Sequence, residues 1–240
     1  MKILRNLLAL LAMFFVIIAA LLTSFQLAIY GDPQYGFYES LYEKYAVTDD
    51  LHMEMKDVME VTDYMMAYLI GEEEELSITT YVDGREQDFF NEQDRLHMAD
   101  VKNLFLGGLA LRNMLAVLAA AIIVLLCLWK EDGRRDIREI LTKAYRFAAA
   151  LFGAAVAFLI IAFTIDFTAC FTVFHEIFFT NDLWIFDPQT DYMIRMLPEG
   201  FFFSMARKIL IYFIISQGAL TAILLLWEKL AGAARTAKKE

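Results

Sequence analysis

Cysteine is scarce in this sequence, and its two cysteines, Cys127 and Cys170, exclude a fold held together by several disulfides. Basic residues are the minority of the charges, because 21 lysines and arginines stand against 31 aspartates and glutamates, which gives a net charge of −10. Nucleic-acid binding requires a basic face, so this balance argues against a nucleic-acid partner. Disorder is excluded for another reason, since 59% of the residues are apolar and disordered chains have low hydrophobicity.

Long apolar runs account for most of this hydrophobicity. A helix needs about 20 mostly apolar residues to cross a bilayer. Four runs without a charge contain 26, 17, 19 and 19 residues, and they lie between Arg5 and Asp32, Arg112 and Lys130, Arg146 and Asp166, and Lys208 and Glu228. Because runs of this length exceed any strand, the sequence predicts four transmembrane helices. The first run exceeds a signal-peptide core and lacks a clear cleavage site, so we interpret it as an uncleaved anchor.

The distribution of lysine and arginine predicts which side of the membrane each loop faces. The N-terminus, segment 130–146 and segment 228–240 together hold 12 basic residues, whereas 30–103 holds five and 171–206 holds only Arg195. Cytoplasmic loops carry an excess of basic residues. We therefore expect both termini in the cytoplasm and the two long loops outside. Cys127 and Cys170 would then lie near opposite membrane surfaces, too far apart for a disulfide.

The predicted fold is an integral membrane protein, mainly α-helical, with four transmembrane helices and a small extracellular α/β cap. In the cap, apolar residues at helical spacing over 49–69 end at Gly71, and two β-rich stretches around Asp83-Gly84 predict a hairpin near 76–90. Asn91 can cap a helix that continues into the second span. The predicted segments are helix 1 (1–29), the cap (30–103), helix 2 (104–129), a cytoplasmic loop (130–146), helix 3 (147–170), an aromatic-rich extracellular or interfacial segment (171–202), helix 4 (203–228) and a cytoplasmic tail (229–240).

The three histidines, His52, His97 and His175, all fall in segments predicted to lie outside. At ~1.5 Å per helical residue, His97 and His175 should both lie near the outer membrane surface. A lone interfacial histidine is usually structural, but two in one layer, each beside acidic residues, favour a shared site. The unperturbed pKa of histidine lies near physiological pH, so the side chain suits proton transfer.

Other interpretations of these residues stay open. His97, Asp100, His175 and Glu176 could hold a metal ion in a membrane hydrolase, although their spacing matches no compact zinc motif. A non-enzymatic membrane protein with a ligand-binding cap would use both histidines structurally. Asp166 lies inside the third span, where acids are costly. It could orient a histidine, pair with Arg112 or simply reach the wet interface. No serine or cysteine has the sequence context of a nucleophile, so covalent catalysis has little support.

Two blocks of sequence resemble the bacterial lipoprotein intramolecular transacylase family, called Lit. The first block, 92–102, reads EQDRLHMADVK and contains His97, Asp100 and Lys102. The second begins with FHEIFF at 174–179 and continues through Asn181, Trp184, Asp187-Pro188 and Asp191 to LPEGFF at 197–202. The blocks are fairly specific together and weak separately, and the resemblance covers nearly the whole chain.

The resemblance implies four transmembrane helices under an extracellular cap in a bacterial plasma membrane, with no cofactor. It implies catalysis by two histidines, which correspond to His97 and His175. The implied substrates are lipoproteins whose N-terminal cysteine carries a diacylglyceryl group, in contact with membrane lipids. The sn-2 acyl chain moves to the α-amine of the same cysteine, which yields the lyso form. Because donor and acceptor belong to one molecule, no acyl-enzyme is needed.

We hypothesise that His97 is the base and that His175 is the acid or oxyanion partner, although the sequence does not decide which is which. Asp166 is a candidate orienting residue. The polar and aromatic residues near the histidines are candidates for supporting catalysis or binding substrate: Asp100, Lys102, Phe174, Glu176, Phe178, Phe179, Asn181, Trp184, Asp187 and Arg195. Phe186 completes a predicted aromatic cleft that would exclude water.

Overall fold

The computed structural model describes residues 2–129 and 137–236, with side chains described up to residue 230. Over these residues the chain is mainly helical with a small two-stranded sheet, as predicted. The elements, in chain order, are α1 (Lys2–Tyr30), α2 (Gly36–Lys44), α3 (Val47–Leu51), α4 (Met55–Ile70), β1 (Thr79–Val82), β2 (Arg85–Asp88), α5 (Glu92–Leu128), α6 (Ile137–Ile165), α7 (Phe167–Phe178), α8 (Tyr192–Met196) and α9 (Glu199–Thr236).

Four of these helices are long and apolar enough to cross a membrane. They are α1, α5, α6 and α9, with candidate spans at Lys2–Tyr30, Glu92–Leu128, Ile137–Ile165 and Glu199–Leu230. Many large apolar side chains on these helices are exposed, including Val117, Phe158 and Ile215. Exposure of such apolar surfaces is unfavourable in water but not in the lipid of a membrane. The predicted four-helix membrane fold is therefore confirmed.

The chain forms two compact units, the first of which comprises Met1–Phe25, Ala110–Ile161 and Leu210–Glu240. Its core holds small residues on two helices, including Ala9 on α1 and Ala148 on α6. Small side chains let helix backbones approach closely in a membrane. Tyr145 links α6 to α9 in this unit, because its hydroxyl lies 3.0 Å from the Gln217 carbonyl and 3.0 Å from the Thr221 hydroxyl.

The second unit comprises Gln26–Leu109 and Ala162–Ile209, and it contains all three histidines. Tyr42, Val58 and Phe89 are fully buried in its core. The two strands pair antiparallel from Thr79 with Asp88 to Val82 with Arg85, which confirms the predicted hairpin. Asp83 and Gly84 both have positive φ, the conformation that a two-residue hairpin turn requires.

Two predicted boundaries of the third span differ from the structure. Its helix α6 begins at Ile137, so most of the predicted loop 130–146 is helical, and residues 130–136 lie outside the described part of the chain. Ile140, Tyr145 and Ala148 bury one face of these early turns while Lys143 stays exposed, so packing extends the helix past its uncharged run. The predicted continuation to residue 170 is interrupted after Ile165, because Asp166 is extended and starts α7.

The aromatic-rich segment and the cap also contain more helix than expected. Residues 171–178 continue α7, and α9 begins at Glu199 instead of 203 because Pro198 precedes its first turn. In the cap, α2 was not predicted, and the helical pattern over 49–69 is divided between α3 and α4 at His52, which has a φ of 50°. Gly71 ends α4 with a φ of 85°, as predicted. The predicted tail 229–240 is helical to Thr236, and 237–240 lies outside the described residues.

Candidate active site

The first turn of α5 is held by a reciprocal pair of hydrogen bonds. The Asn91 side-chain oxygen accepts from the Asp94 N–H at 2.9 Å, and the Asp94 carboxylate accepts from the Asn91 N–H at 3.0 Å. This is a capping box with Asp94 at its third helical position, and it confirms the predicted cap at Asn91. The box fixes the start of the helix, so the orientation of the next turn, which carries His97, is also fixed.

His97 on α5 and His175 on α7 face each other. Their ring centroids are 6.0 Å apart and their planes are inclined by 29°. Both side chains are buried, with exposed fractions of 5% and 7%. The structure therefore brings together the two histidines that the sequence placed in one layer. His52 lies elsewhere in the cap, exposed, with its Nδ1 2.9 Å from the Asp83 carboxylate.

Aromatic rings enclose the histidine pair. Phe179 contacts both imidazoles, with centroid distances of 5.1 Å to His97 and 5.5 Å to His175. Phe186 lies edge-on to His97 at 5.3 Å, and Trp184 lies 4.9 Å from His175. These three rings belong to the predicted cleft, and their apolar surfaces leave little room for water around either imidazole.

The tautomer of His175 follows from its hydrogen bond. Its Nδ1 lies 2.7 Å from the backbone carbonyl oxygen of Phe171, one helical turn earlier. A carbonyl only accepts, so Nδ1 carries the hydrogen and the neutral ring keeps its lone pair on Nε2. Burial lowers the pKa of His175, and the bond to the Phe171 carbonyl offsets part of that effect. His175 is therefore a neutral imidazole near pH 7 with Nε2 available as a base.

His97 has different surroundings. Its Nδ1 is buried and has no hydrogen-bond partner within residues 2–129 and 137–236. Its ring is packed against Phe179, Phe186 and the second imidazole. Apolar burial and a nearby second imidazole both disfavour a positive charge. The two histidines thus share one aromatic enclosure. Nδ1 of His175 has a hydrogen-bond acceptor, whereas Nδ1 of His97 has none among the described residues.

Hydrogen bonds to α5 hold the segment that supplies the aromatic rings. The Asn181 amide donates to the Asp100 carboxylate at 2.8 Å, while its oxygen accepts from the Leu183 N–H. The Gln93 amide donates to the carbonyls of Leu183 and Ile185 at 3.1 and 2.8 Å. Asn181 and Asp100 therefore contribute to the site by positioning Trp184 and its neighbours.

Three other predicted residues bind structural partners. The Lys102 ammonium donates to the Glu73 carbonyl at 2.9 Å and lies 4.0 Å from the Tyr68 ring centroid, so it anchors the acidic turn after α4. Asp166 accepts from the Ala169 N–H at 2.9 Å and caps α7, so it positions the helix that carries His175 instead of touching its ring. Asp187 is exposed and accepts from the Gln189 N–H, which shapes the turn before α8.

Arg195 on α8 forms the largest ion-pair cluster among the described residues of the second unit. Its guanidinium lies 2.9 Å from the Asp50 carboxylate and 2.8 Å from the Asp83 carboxylate, and it also donates to the Asp50 carbonyl. The hydrogen bond from Arg195 lowers the pKa of Asp83. Since its donors are engaged with α3 and the hairpin turn, Arg195 joins three elements of the second unit.

Three of the predicted site residues on α7 are exposed: Phe174, Glu176 and Phe178. The Phe174 ring still meets the edge of His175 at a centroid distance of 5.4 Å and stacks near Phe178 at 4.7 Å. Glu176 is exposed, and Asp100 accepts a hydrogen bond from Asn181. In the described part of the chain, no group of three or more histidine, cysteine or acidic side chains could hold a metal ion.

A cavity of about 880 Å³ lies beside His175, within the second unit. Its walls include Phe171, Trp184 and Phe186, which also contact the histidines, and Tyr45 and Phe202 extend the aromatic lining. Neither Phe171 nor Tyr45 is among the site residues predicted from the sequence. Phe171 lies four positions before His175, a helical spacing that could have identified it as a site residue. No nearby sequence pattern indicates Tyr45. A cavity of this size and lining can take a lipid-like ligand.

Comparison with known proteins places this geometry in context. A family model described as "Lipoprotein intramolecular transacylase Lit" matches residues 10–202. The fold is similar to the membrane-integral lipoprotein intramolecular transacylase Lit from Bacillus cereus, with a TM-score of 0.73, 21% identity, and coverage of 96% of this chain and 100% of that one. Two structures of that protein with one histidine replaced also match. The arginine variant has a TM-score of 0.69, 20% identity and coverage of 96% of both chains; the alanine variant has 0.67, 20%, and 95% and 97%. A search of curated proteins finds no match.

Proposed function

The chain belongs to the lipoprotein intramolecular transacylase (Lit) family, and from this premise we propose that His97 and His175 form its catalytic centre. It is a membrane transacylase whose substrates are lipoproteins. One observation carries the site assignment: two buried imidazoles lie 6.0 Å apart inside an aromatic enclosure, next to a cavity of about 880 Å³. Neither a bound metal nor a nucleophilic serine is needed for the chemistry that follows.

The proposed substrate is a lipoprotein whose N-terminal cysteine carries a diacylglyceryl thioether and a free α-amine. The amine nitrogen forms a bond to the sn-2 ester carbonyl carbon, and the bond from that carbon to the glycerol oxygen breaks. One proton leaves the amine and one reaches the glycerol oxygen, so the transfer is balanced within one molecule. The apolar walls of the cavity, including Phe171, Trp184 and Phe202, suit the acyl chain.

The geometry favours His175 as the base, the reverse of the assignment hypothesised from the sequence. Its Nδ1 hydrogen is donated to Phe171, so Nε2 holds the lone pair that can take a proton from the amine. An α-amine has a pKa of ~7.7–8.0, so part of it is neutral near pH 7 and attacks as the free amine. His175 takes the one proton that the nitrogen loses as its bond to the ester carbon forms. The imidazolium formed at His175 then protonates the departing glycerol oxygen.

His97 is assigned to the oxyanion of the tetrahedral intermediate. A buried neutral imidazole can donate a hydrogen bond to a developing oxyanion without carrying a charge of its own. Such a donor, fixed in advance in a dry site, is a large contribution to acyl-transfer catalysis. The ring centroids are 6.0 Å apart, a separation short enough for both imidazoles to act on one substrate carbonyl.

Holding the amine and the ester together is the remaining task of the site. Orientation of two reacting groups can contribute several kcal/mol, up to about 7–11 kcal/mol in favourable cases. The rings of Phe179, Trp184 and Phe186 exclude water, so that attack by the amine competes successfully with attack by water.

Both termini are assigned to the cytoplasm and the second unit to the outer face of a bacterial plasma membrane, on the support of the lysine and arginine distribution.

Substitution of the histidines tests this function. In a host without the activity, the wild-type chain should convert a lipoprotein to its lyso form, and His97→Ala and His175→Ala should each reduce conversion by about 100-fold or more. His52→Ala, which removes an exposed histidine from the cap, is the matched control and should remain active. Mass spectrometry of the lipoprotein N-terminus is the measurement. Undiminished lyso product from either of the first two variants would remove that residue from the mechanism.

A further inference from the structure

A carboxyl group next to the site has a polar atom that the proposed chemistry leaves unused. Asp94 lies three residues before His97 on α5, and its side chain is 0% exposed. One carboxyl oxygen, Oδ2, accepts from the Asn91 N–H in the capping box. The other, Oδ1, is buried without a hydrogen-bond partner in the part of the chain that the structure describes.

A second buried polar atom without a partner among the described residues, Nδ1 of His97, lies one helical turn later. Side chains three positions apart are neighbours on a helix surface. A buried polar atom without a partner is costly, so unpaired buried atoms in a native fold call for an explanation. Here two such atoms lie on neighbouring side chains and are complementary, since one can donate the hydrogen bond that the other accepts.

The other charged groups around Asp94 are already engaged. Arg95, the next residue, donates to the Asp88 carboxylate at 2.6 Å and to the Leu76 carbonyl. Asp191, which approaches from the segment before α8, accepts from the Asn91 amide and from the Asp187 N–H. No cation is therefore directed at Oδ1 from these neighbours. Complete burial and a nearby aspartate both favour the protonated carboxyl group.

We propose that Asp94 is a positioning residue that donates a hydrogen bond from a protonated Oδ1 to Nδ1 of His97. This bond holds the hydrogen of His97 on Nε2, the nitrogen that must donate to the oxyanion. His175 has the opposite tautomer, because the Phe171 carbonyl keeps its hydrogen on Nδ1. One histidine is thus set as a base and the other as a donor. The bond is not formed in this structure, where both atoms lack a partner among the described residues. We expect it to form by rotation of the His97 ring while Asp94 keeps its bond to the Asn91 N–H, since catalytic hydrogen bonds often tighten only when substrate is bound.

Replacement of Asp94 by asparagine distinguishes a protonated Asp94 that donates to His97 from an ionised Asp94 that accepts from His97. In Asp94→Asn the amide oxygen can keep the Asn91 bond while the NH₂ group donates to His97, so lyso-form production should stay within a few-fold of wild type. If Asp94 were instead a carboxylate that accepted from His97, asparagine would enforce the wrong tautomer and activity would fall by a factor on the order of 10⁴, as in the serine protease triad. That outcome would overturn the inference.

Two further measurements exclude a merely structural role. Asp94→Ala, which offers no donor, should lower kcat strongly, yet it should have no further effect in a His97→Ala background. Burial raises the pKa of Asp94 to about 7, so wild-type activity should decline as the pH rises through about 7 and Asp94 ionises, and Asp94→Asn should lack this part of the decline. Independent losses in the double variant, or identical pH profiles for wild type and Asp94→Asn, would contradict the proposal.

The inference rests on the proposed function for its role in turnover, and the tautomer can be tested without turnover. Heteronuclear NMR of imidazole-labelled protein should show His97 with its hydrogen on Nε2 in both wild type and Asp94→Asn, with His97→Ala used for assignment. A hydrogen on Nδ1 would overturn the inference even in an active enzyme. Failure of the wild-type chain to make lyso product would overturn the proposed function and leave the NMR result to decide on Asp94.

Discussion

The two catalytic candidates are the same residue type, and their surroundings distinguish them. His175 donates from Nδ1 to a backbone carbonyl at 2.7 Å, whereas Nδ1 of His97 faces no such acceptor in the described structure. A backbone carbonyl cannot be titrated or mutated away, so the tautomer of His175 is built into α7. The sequence identified both histidines, but the roles proposed for them rest on the Phe171 carbonyl, one turn before His175, and on the unpartnered Nδ1 of His97.

Burial of His175 by Trp184 should be measurable as a pKa effect. Burial lowers the pKa of His175, so its neutral form persists as the pH falls below ~6.5 and is lost only at lower pH. Trp184→Ala opens the wall that lies 4.9 Å from the imidazole and should raise this pKa towards ~6.5. NMR titration of the imidazole resonances gives both values. A His175 pKa that does not rise in Trp184→Ala would show that this ring does not shield the histidine.

Among the elements, α7 shows most clearly how local capping positions a functional residue. Asp166 has an extended backbone and caps the helix through the Ala169 N–H, so α7 begins where an uninterrupted third span was expected. Helix α7 has 12 residues, and His175 lies in its last turn. The acid that sequence analysis considered for orienting a histidine therefore positions His175 through the helix start.

The start of α9 depends on the absence of a side chain at Gly200. A Cβ at this position would lie 2.5 Å from the Tyr45 ring, and the Tyr45 hydroxyl donates to the Gly200 carbonyl at 2.8 Å. Gly200→Ala should therefore displace Tyr45 from the cavity wall, lower the stability by about 1–3 kcal/mol and reduce transfer. Thermal unfolding and the lyso-form assay provide the measurements.

Gly218 is the matched control for this prediction, because it lies on the same helix and a Cβ there would meet nothing within 4 Å. Gly218→Ala should unfold at the wild-type temperature or above it. Equal effects of the two substitutions would mean that the contact with Tyr45 is unimportant and that α9 merely tolerates alanine poorly.

Across the whole molecule, charge is separated by segment. Segment 30–103 carries 19 acidic and five basic residues, and 171–206 carries five acidic residues and one basic residue, so the rest of the chain has a positive excess. The net charge of −10 is thus a property of the predicted outer segments. This separation is the basis of the proposed orientation.

Thiol labelling tests that orientation in a background with both native cysteines replaced. Glu74 and Lys143 are exposed positions in the second and first units respectively. Glu74→Cys should react with a membrane-impermeant reagent in intact cells, whereas Lys143→Cys should react only after permeabilisation. The reverse pattern would invert the topology, and labelling of both positions in intact cells would contradict a four-span arrangement.

The sequence by itself determined the four spans, the hairpin and the N-cap of α5 at Asn91. It also identified His97 and His175 as candidate site residues. Each depends on a rule that acts over a few residues or a single run: apolar length, turn chemistry, capping and residue type. Only the tertiary structure decided which groups surround the histidines and which predicted residues lie elsewhere. The contacts of Asn181 with Asp100, Arg195 with Asp50 and Tyr45 with Gly200 join residues 81, 145 and 155 positions apart. Local sequence patterns cannot specify such contacts, because they depend on how separate helices and loops pack together.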